Sequence, residues 1–265
     1  MRLKNKIILI SGAAGFLGSK IVETLLEEQS YCLLIDKNDK KLNILKNSLK
    51  KKKFKNFTIS NVDITSETKV KKYFSLIKKK FKKLDGILNL AAIDPKVGKS
   101  SKLLTSFEKT NLKDFKLQID VGIIGLILIS KYSIDLLKKS NTASVVNLAS
   151  DLSIISPDHR IYGKKRGLPV SKPISYSIIK HGVLGYTKYL ASYYGKDKIR
   201  FNCISPGGIN AGQPKSFKKK INKLIPMNRM GNIEDIEYAV VHLLSDESKY
   251  TNGINLVIDG GRSVW

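Results

Sequence analysis

The chain has 265 residues, a length that suits a single α/β domain spanning 1–265 with a substantial core. Its formal net charge of +26 would favour nucleic-acid binding, but the lysines are scattered over the polar faces of amphipathic helices, which indicates solvated surfaces rather than a specific nucleic-acid partner. No apolar run approaches the ~20 residues of a membrane span and no cleavage-site pattern precedes the first apolar segment, which predicts a cytoplasmic protein without a membrane partner.

Short apolar runs rich in strand-forming residues alternate with longer helical patterns along the chain. Strands are predicted at 6–10, 31–35, 57–60, 86–90, 144–149, 199–204 and 255–258, and helices at 15–28, 39–52, 67–81, 112–139, 176–194 and 233–244. This alternation favours right-handed βαβ units. It predicts an open, doubly wound parallel sheet of about seven strands flanked by helices.

Three predicted loops are long for this architecture: 93–111, 151–175 and 206–215. Each follows a strand, so all three gather at the carboxyl edge of the sheet, where ligands bind in such folds. Cys32 and Cys203 lie inside apolar strand-like segments without metal-ligand spacing, which predicts buried, reduced thiols and no metal site.

A glycine-rich turn, residues 11–18, joins the first predicted strand to the first helix. Its three glycines permit a tight turn and leave the N–H groups at the helix N-terminus free to bind a pyrophosphate. A plain βα turn is the alternative, because the spacing is Gly-x-x-Gly-x-x-Gly rather than the commonest dinucleotide fingerprint. The cofactor-binding residues predicted in this turn are Gly12, Ala14, Gly15, Phe16, Leu17 and Gly18.

Asp36 ends the second predicted strand, where a carboxylate can accept both ribose hydroxyls of NAD and would repel the 2′-phosphate of NADP. NAD is therefore predicted over NADP, although the adjacent Lys37 would offset some of that repulsion. A helix-capping or turn role is the alternative for Asp36. Five more positions follow the third and fourth strands, where adenine and the nicotinamide ribose would pass: Asp63, Ile64, Asn89, Ala91 and Ala92.

The pentapeptide Tyr176-Ser-Ile-Ile-Lys180 carries the strongest sign of chemistry in this chain. Residues four apart share one face of a helix, so the phenol and the ammonium can meet in one site. A tyrosine with an unperturbed pKa of ~10 is a poor acid or base at neutral pH, and a nearby lysine cation stabilises its phenolate. The fifth predicted strand delivers the hydroxyl of Ser150 to the same edge of the sheet.

With these motifs in order, the chain resembles the short-chain dehydrogenase/reductase family over its whole length. The matching segments are the glycine turn 12–18, Asp63, Asn89-Leu-Ala-Ala92, Ser150, Tyr176-x-x-x-Lys180, Asn202-Cys-Ile-Ser-Pro-Gly207 and Asp259-Gly-Gly261. The resemblance implies a Rossmann-type fold, nicotinamide-dependent interconversion of an alcohol and a ketone, and a homotetramer or homodimer.

The resemblance also implies roles for the three residues of the reacting centre. Tyr176 would be the general acid/base, and Ser150 would hydrogen-bond the substrate oxygen. Lys180 would bind the nicotinamide ribose while lowering the pKa of Tyr176. Ser150 is favoured over Ser153 for this role because it ends the strand in register with the family motif.

The resemblance also implies that Pro206 and Gly207 shape the nicotinamide pocket, with Ile209 offering backbone to the carboxamide. The chain departs from the family motifs at Leu90, Ala92 and Gly122. In the long central helix, Gly122 stands where the family has an asparagine that helps hold a water linking the lysine to solvent. Either its backbone and an extra water substitute for that side chain, or proton transfer is slow. A non-catalytic dinucleotide-binding sensor or scaffold is therefore the rival interpretation.

The segment between Ser150 and Tyr176 is long for the family, with an insertion at about 151–175. Residues 92–99, 151–157 and 262–265 are similar to a branch of oxidoreductases associated with surface-glycan and flagellin sugar modification. This similarity implies a sugar-like substrate, phosphorylated or nucleotide-linked, whose anionic group would meet cations of the insertion. A basic surface loop is the alternative. The predicted substrate residues are Ser153, His159, Arg160, Lys164, Lys165 and Arg166.

Overall fold

Seven parallel strands form the central sheet of the protein, which is described here by a computed structural model over residues 1–94, 97, 106–165, 168–169 and 171–265. The strands along the chain are β1 (Ile7–Ser11), β2 (Tyr31–Asp36), β3 (Phe57–Asn61), β4 (Gly86–Asn89), β5 (Ala143–Leu148), β6 (Lys164–Lys165), β7 (Leu168–Pro169), β8 (Ile199–Pro206) and β9 (Asn255–Ile258). Their order in the sheet is β3-β2-β1-β4-β5-β8-β9, and every neighbouring pair is parallel. Strands β6 and β7 pair separately as a short antiparallel hairpin. The predicted doubly wound parallel sheet is confirmed.

Helices cover both faces of this sheet. They are α1 (Phe16–Glu27), α2 (Asp39–Lys51), α3 (Glu67–Lys80), α4 (Leu112–Ile119), α5 (Gly125–Leu137), α6 (Ile174–Tyr194), α7 (Lys215–Asn222) and α8 (Glu234–Leu244). A π-helix of five residues, Asp120–Ile124, joins α4 directly to α5. The predicted helix 112–139 is thus one helical segment with a wider turn in its middle.

The side chains of each strand alternate between two hydrophobic layers. Ile8 and Ile10 of β1 pack in the layer that contains α1 and α8, whereas Leu9 packs in the layer that contains α3 and α5. All three side chains are fully buried, and each such burial stabilises the fold by about 1.5–3 kcal/mol. Burial on both faces explains why the strands are continuous apolar runs in the sequence.

The boundaries of the predicted strands agree with the structure to within two residues. Helix α6 begins at Ile174, two residues before the predicted start. The sequence did not predict helix α7, the hairpin of β6 and β7 inside the insertion, or the π-helix. The two cysteines, Cys32 and Cys203, are both buried and form no disulfide.

The segment Leu112–Leu137 is, among the described residues, the one helix long and apolar enough to cross a membrane, with a mean hydropathy of 1.6. Half of its most apolar window is buried within the protein. Leu128 and Ile129, for example, pack in the layer that contains α3. The segment is therefore interpreted as a core helix.

Strands β1, β4, β5 and β8 end at one edge of the sheet because all are parallel. The loops that follow them carry the predicted site residues. Part of the insertion packs on α7, where Ile161 joins Phe217 and Ile221 in a small hydrophobic cluster. The rings of Tyr162 and Phe217 lie 5.8 Å apart between their centroids. The insertion and α7 thus form one packed unit next to this edge.

Candidate active site

The turn between β1 and α1 excludes side chains at its glycines. Gly12 has a φ of +70°, a left-handed conformation that favours glycine. A β-carbon at Gly12 would lie 2.7 Å from the backbone nitrogen of Ala91, and one at Gly18 would lie 2.4 Å from the carbonyl oxygen of Gly12. The backbone itself therefore forms the surface of the turn and packs onto the loop after β4.

The N-terminus of α1 offers N–H groups to a ligand. Its N-cap is Gly15; no side chain of the described residues caps it, and its first turn has no acidic residue. By contrast, the Asn38 side chain caps α2 by accepting a hydrogen bond from the Lys41 N–H, and the Ser66 side chain caps α3 by accepting one from the Lys69 N–H. Uncapped N–H groups at the positive end of a helix dipole bind anionic oxygens. Together with the glycine turn, this N-terminus fits the pyrophosphate of a dinucleotide.

The carboxylate of Asp36 lies directly beside the glycine turn. One of its oxygens accepts a hydrogen bond from the Ala14 N–H at 3.2 Å, and the other accepts one from the Asn38 N–H at 2.9 Å. The carboxylate is thus held in place by backbone at the end of β2. Next to the turn, Phe16 is exposed, whereas Leu17 packs against the core.

Asp63 follows β3 and forms a turn with Thr65. Its carboxylate accepts hydrogen bonds from the Thr65 N–H at 3.0 Å and from the Thr65 hydroxyl at 2.7 Å. Burial acts to raise the pKa of Asp63, but these hydrogen bonds and the charge of Lys37 outweigh it and hold the pKa below its usual range. Asp63 is therefore an anion at neutral pH. Ile64 beside it is buried against Gly125 of α5.

A buried chain of amide and hydroxyl groups connects the ends of β1, β4 and β5 to α6. The Ser11 hydroxyl donates to Asn89 Oδ1 at 3.2 Å, and Asn89 Nδ2 donates to Asn147 Oδ1 at 2.9 Å. Asn147 Nδ2 then donates to the Thr187 hydroxyl at 2.9 Å. Only Asn89 of these four was predicted. An asparagine inside a fully apolar strand is the signal that would have identified Asn147, because buried amides need partners.

Lys180 lies in the interior with its ammonium bonded to a main-chain carbonyl. Nζ donates to the Leu148 carbonyl oxygen at 2.7 Å, and the residue is 6% exposed. Leu148 is the last residue of β5, two residues before Ser150. Burial lowers the pKa of Lys180 to about 8. The lysine is thus a cation at neutral pH that is close to losing its proton.

Tyr176 lies one helical turn before Lys180, whose ammonium is 5.6 Å from the centroid of the phenol ring. Burial raises the pKa of Tyr176 above its usual value, the charge of Asp94 raises it further, and a hydrogen bond with Ser150 acts in the opposite direction. The resemblance implied a lowering of this pKa by Lys180, whereas burial is the largest influence on it here. Desolvation of the phenolate is the reason.

Ser150 belongs to a buried chain of charged and polar groups. Its hydroxyl donates to Asp151 Oδ1 at 2.8 Å and accepts from the Leu152 N–H at 3.2 Å. The other oxygen of Asp151 bonds Arg262 at 2.7 Å, and both of these side chains are at least 95% buried. Sequence reasoning missed Asp151 and Arg262, which are 111 residues apart and meet only in the folded chain.

The turn after β8 packs closely on the turn after β9. The Gly207 N–H donates to the Ile258 carbonyl at 2.9 Å, and a β-carbon at Gly207 would lie 2.8 Å from Asp259 Cα. Pro206 is buried at the end of β8. The carbonyl of Ile209 accepts a hydrogen bond from the Gln213 side chain at 2.9 Å. Gly207 is thus required by the close approach of two backbones.

Comparison with known proteins gives the family of this chain. The family model described as Enoyl-(Acyl carrier protein) reductase matches residues 12–263. Post-translational flagellin modification protein A of Campylobacter coli is 30% identical over 259 residues, which are 98% of each chain. The chain belongs to the short-chain dehydrogenase/reductase family.

Solved structures have the same fold over nearly the whole chain. The short chain dehydrogenase from Leptospira borgpetersenii, solved with bound NAD+, is 31% identical with a TM-score of 0.86, covering 99% of this chain and 94% of that one. A gluconate 5-dehydrogenase from Burkholderia cenocepacia, solved with NADP and tartrate, has a TM-score of 0.85 and covers 100% of this chain and 97% of that one. Its identity is 18%, so it shows the fold alone.

The residues predicted to contact substrate are distributed differently from the expectation. Ser153 is buried, and its hydroxyl bonds the Ser150 carbonyl at 2.5 Å and Ser205 at 3.2 Å, so it faces the protein interior. Arg160 is exposed and bonds Asp158 at 2.7 Å, and His159 beside it is exposed. Of the other three, the structure describes the backbone of Lys164 and Lys165 in β6, and Arg166 lies outside the described residues.

Gly122, which replaces the family's asparagine, lies in the π-helix against α6. A β-carbon at Gly122 would lie 2.6 Å from Cγ2 of Ile179, a stiff β-branched side chain next to Lys180. A cavity of about 30 Å³ remains beside it, lined by Ala91, Ala92 and Lys180 among others. This is enough volume for about one water molecule. Ile179 therefore takes the space into which a side chain at 122 would extend.

We predict that Gly122→Ala lowers the free energy of unfolding by about 1–3 kcal/mol, because the new methyl group overlaps Ile179. Gly185→Ala in α6 is the matched control, since a β-carbon added at Gly185 would meet nothing within 4 Å among the described residues. It should be neutral or stabilising by up to about 1 kcal/mol. Urea denaturation followed by circular dichroism measures both changes.

Truncation of Ile179 should remove the penalty at position 122. In an Ile179→Ala background, Gly122→Ala is expected to cost nearly nothing, because the overlapping methyl group is gone. Equal losses of stability for Gly122→Ala and Gly185→Ala would contradict the packing explanation.

Proposed function

We propose that this short-chain dehydrogenase/reductase interconverts an alcohol and a ketone on a sugar-like substrate, with NAD as its preferred cofactor. The observation that carries the proposal is the meeting of Ser150, Tyr176 and Lys180 at the edge of the sheet that also carries the glycine turn and Asp36. A proton-transfer group thus lies at the same edge as a site that fits a dinucleotide.

The residues present fit a nicotinamide dinucleotide in a defined orientation. The glycine turn and the N-terminus of α1 would hold the pyrophosphate, and Asp36 would accept the adenine ribose hydroxyls. Asp63 and Ile64 would lie beside adenine, and Lys180 would bind the nicotinamide ribose. When bound, the cofactor would supply or accept the hydride.

The protein's own part of the reaction is to move a proton and to hold the substrate oxygen. In alcohol oxidation, the proton of the substrate hydroxyl would pass to Tyr176 Oη, and in ketone reduction it would return. The Ser150 hydroxyl would hydrogen-bond the same oxygen, which requires it to turn from its present acceptor, Asp151. Lys180 stays cationic below a pH of about 8 and so favours the phenolate.

A sugar-like substrate is supported by the relative from Campylobacter coli, whose name refers to flagellin modification. A phosphorylated or nucleotide-linked form would need a cation near the reacting centre. The proposed contacts are the lysines and arginine of the insertion at 164–166. Arg160 is less suited to this role, because Asp158 already neutralises it.

We further propose that the chain is a single cytoplasmic domain that assembles into a homodimer or homotetramer. The support is a set of exposed apolar side chains on α6 and on the helical segment that packs against it. Exposed apolar side chains on packed helices are typical of association surfaces when they form a contiguous patch. The members of this set are Ile124, Ile127, Ile178, Tyr189 and Tyr193.

The test of the proposed function is a substrate panel. Purified protein is incubated with NAD or NADP and with free sugars, sugar phosphates and nucleotide sugars, while the absorbance of the reduced cofactor is followed. Turnover with a member of the panel supports the proposal. Tight NAD binding without turnover would favour the rival interpretation, a dinucleotide-binding sensor or scaffold.

For the variant Tyr176→Phe we predict a loss of 10²–10⁴-fold in kcat, the typical contribution of general acid/base catalysis. The affinity for NAD should stay nearly unchanged, because the aromatic ring remains. Lys180→Ala should reduce both kcat and NAD affinity, because it also removes the proposed ribose contact. Tyr250→Phe, at a fully exposed tyrosine, is the control. A Tyr176→Phe enzyme that kept more than about a tenth of wild-type kcat would rule out this role.

Asp36 gives a second prediction, on the choice between NAD and NADP. The similar solved structures include examples with NAD and an example with NADP, so the proposed preference rests on the carboxylate beside the turn. We expect kcat/KM to be at least about tenfold higher with NAD in the wild type, and Asp36→Ala to reduce that ratio strongly, since it removes the repulsion of a 2′-phosphate. Equal values for both cofactors in the wild type would show that Asp36 does not read the ribose.

A further inference from the structure

Tyr176 has a lysine four residues away on each side, Lys172 and Lys180. The ammonium of Lys172 lies 4.1 Å from the centroid of the Tyr176 ring, closer than the ammonium of Lys180 at 5.6 Å. A cation at this distance over an aromatic face is attracted by the ring, and more strongly by the phenolate. The nearer cation is thus not the one that the family motif assigns to the tyrosine.

Lys172 is held over the ring by Asp94. Its Nζ bonds Asp94 Oδ1 at 2.5 Å. The lysine side chain is only 10% exposed, whereas the aspartate is 63% exposed. Asp94 belongs to the loop after β4, and Lys172 lies near the end of the insertion, two residues before α6 begins. The ion pair therefore ties two loops of the candidate site together directly at the tyrosine.

We propose that Lys172 and Asp94 form a charge pair that controls the protonation of the Tyr176 and Lys180 dyad. Lys172 is a positioning residue in this scheme, because it acts on the reaction through Tyr176. It places positive charge against the phenol and at the same time neutralises Asp94. The inference rests on the proposed role of Tyr176, but its physical content is a charge coupling that exists without substrate.

The groups that face the dyad explain why this pair matters. On the side of β5, the carboxylate of Asp151 has its own buried cation, Arg262. Asp94 has Lys172 as its cation, so loss of Lys172 would leave a carboxylate next to the dyad without the cation that pairs with it here. Within the part of the chain that the structure describes, the titratable and charged groups facing the dyad are Asp94, Asp151, Tyr162, Lys172 and Cys203.

The direction of each effect follows from the charges. After burial, the charge of Asp94 is the next cause that raises the pKa of Tyr176. For Lys180, burial lowers the pKa, Asp94 acts to raise it and Lys172 acts to lower it. Removal of Lys172 should therefore raise the pKa of both groups, and removal of the charge on Asp94 should lower both.

The pKa of Lys180 provides a readout that needs no turnover, since it lies at about 8 in the free protein. Protein labelled with ¹³C at lysine Cε is titrated by NMR, and the Lys180 resonance is assigned by its loss in Lys180→Met. The two ammonium groups flank one ring and are less than about 10 Å apart, a distance over which like charges repel measurably.

Lys172→Met is expected to raise the pKa of Lys180 by about half a unit to one unit, and Asp94→Asn to lower it by a similar amount. The double variant should lie between the two. Lys172→Arg should stay close to the wild-type pKa, because it keeps the charge. Thermal melts show whether each variant is folded, and NAD affinity should change less than about threefold in all of them.

A pKa of Lys180 that is the same in wild type, Lys172→Met and Asp94→Asn would overturn the inference. So would shifts of the same sign in the two variants, since these would indicate a structural effect. If Lys172→Met fails to fold, the pKa of Lys180 measured in Lys172→Gln and in Asp94→Asn tests the charge coupling instead. These results are independent of the substrate panel: a missing turnover would count against the proposed function and leave the charge coupling intact.

Discussion

The hydrogen bond from Lys180 to the Leu148 carbonyl is the interaction on which the candidate site depends. A buried ammonium needs a partner, and here the partner is the last residue of β5. The bond joins α6 to the end of β5, and Tyr176 lies at the strand end that carries Ser150 because it is one turn before the lysine. Loss of this contact would leave the buried ammonium without its main-chain partner.

Two carboxylates near this centre are each paired with a cation, although the chain as a whole is strongly basic. Asp151 is matched by Arg262, and Asp94 is matched by Lys172. A buried ion pair is weak evidence for stability, because desolvation offsets much of its attraction. The presence of these two ion pairs is better explained by the neighbouring groups that they hold in place. Arg262 fixes the carboxylate that holds the Ser150 hydroxyl, and Asp94 fixes the cation over Tyr176. Neither ion pair could be inferred from the net charge of +26.

The sequence predicted the sheet well because strands buried on both faces are apolar throughout. It also predicted the glycine turn and the Tyr-x-x-x-Lys motif, because the residues of each motif lie close together in the sequence. It did not predict α7, a short helix with only Phe217 and Ile221 buried, nor the π-helix, which changes the helical period by one residue. The contact of Asp151 with Arg262 could not be predicted from the sequence, because the two residues are 111 positions apart in the chain. Ser153 stays a predicted substrate contact, and its hydrogen bond to Ser205 could not be predicted because the two residues are 52 positions apart in the chain.

The packing around Gly122 explains why this position differs from the family motif. Taken alone, the loss of an asparagine suggests a broken proton path and favours a non-catalytic protein. In the structure, the π-helix brings Gly122 against Ile179, so the glycine is needed for packing and the neighbouring cavity can still hold a water beside Lys180. The residue is therefore part of a close contact between two helices. Because Ser150, Tyr176 and Lys180 lie close together beside that contact, the replacement at 122 is not by itself an argument against the proposed catalysis.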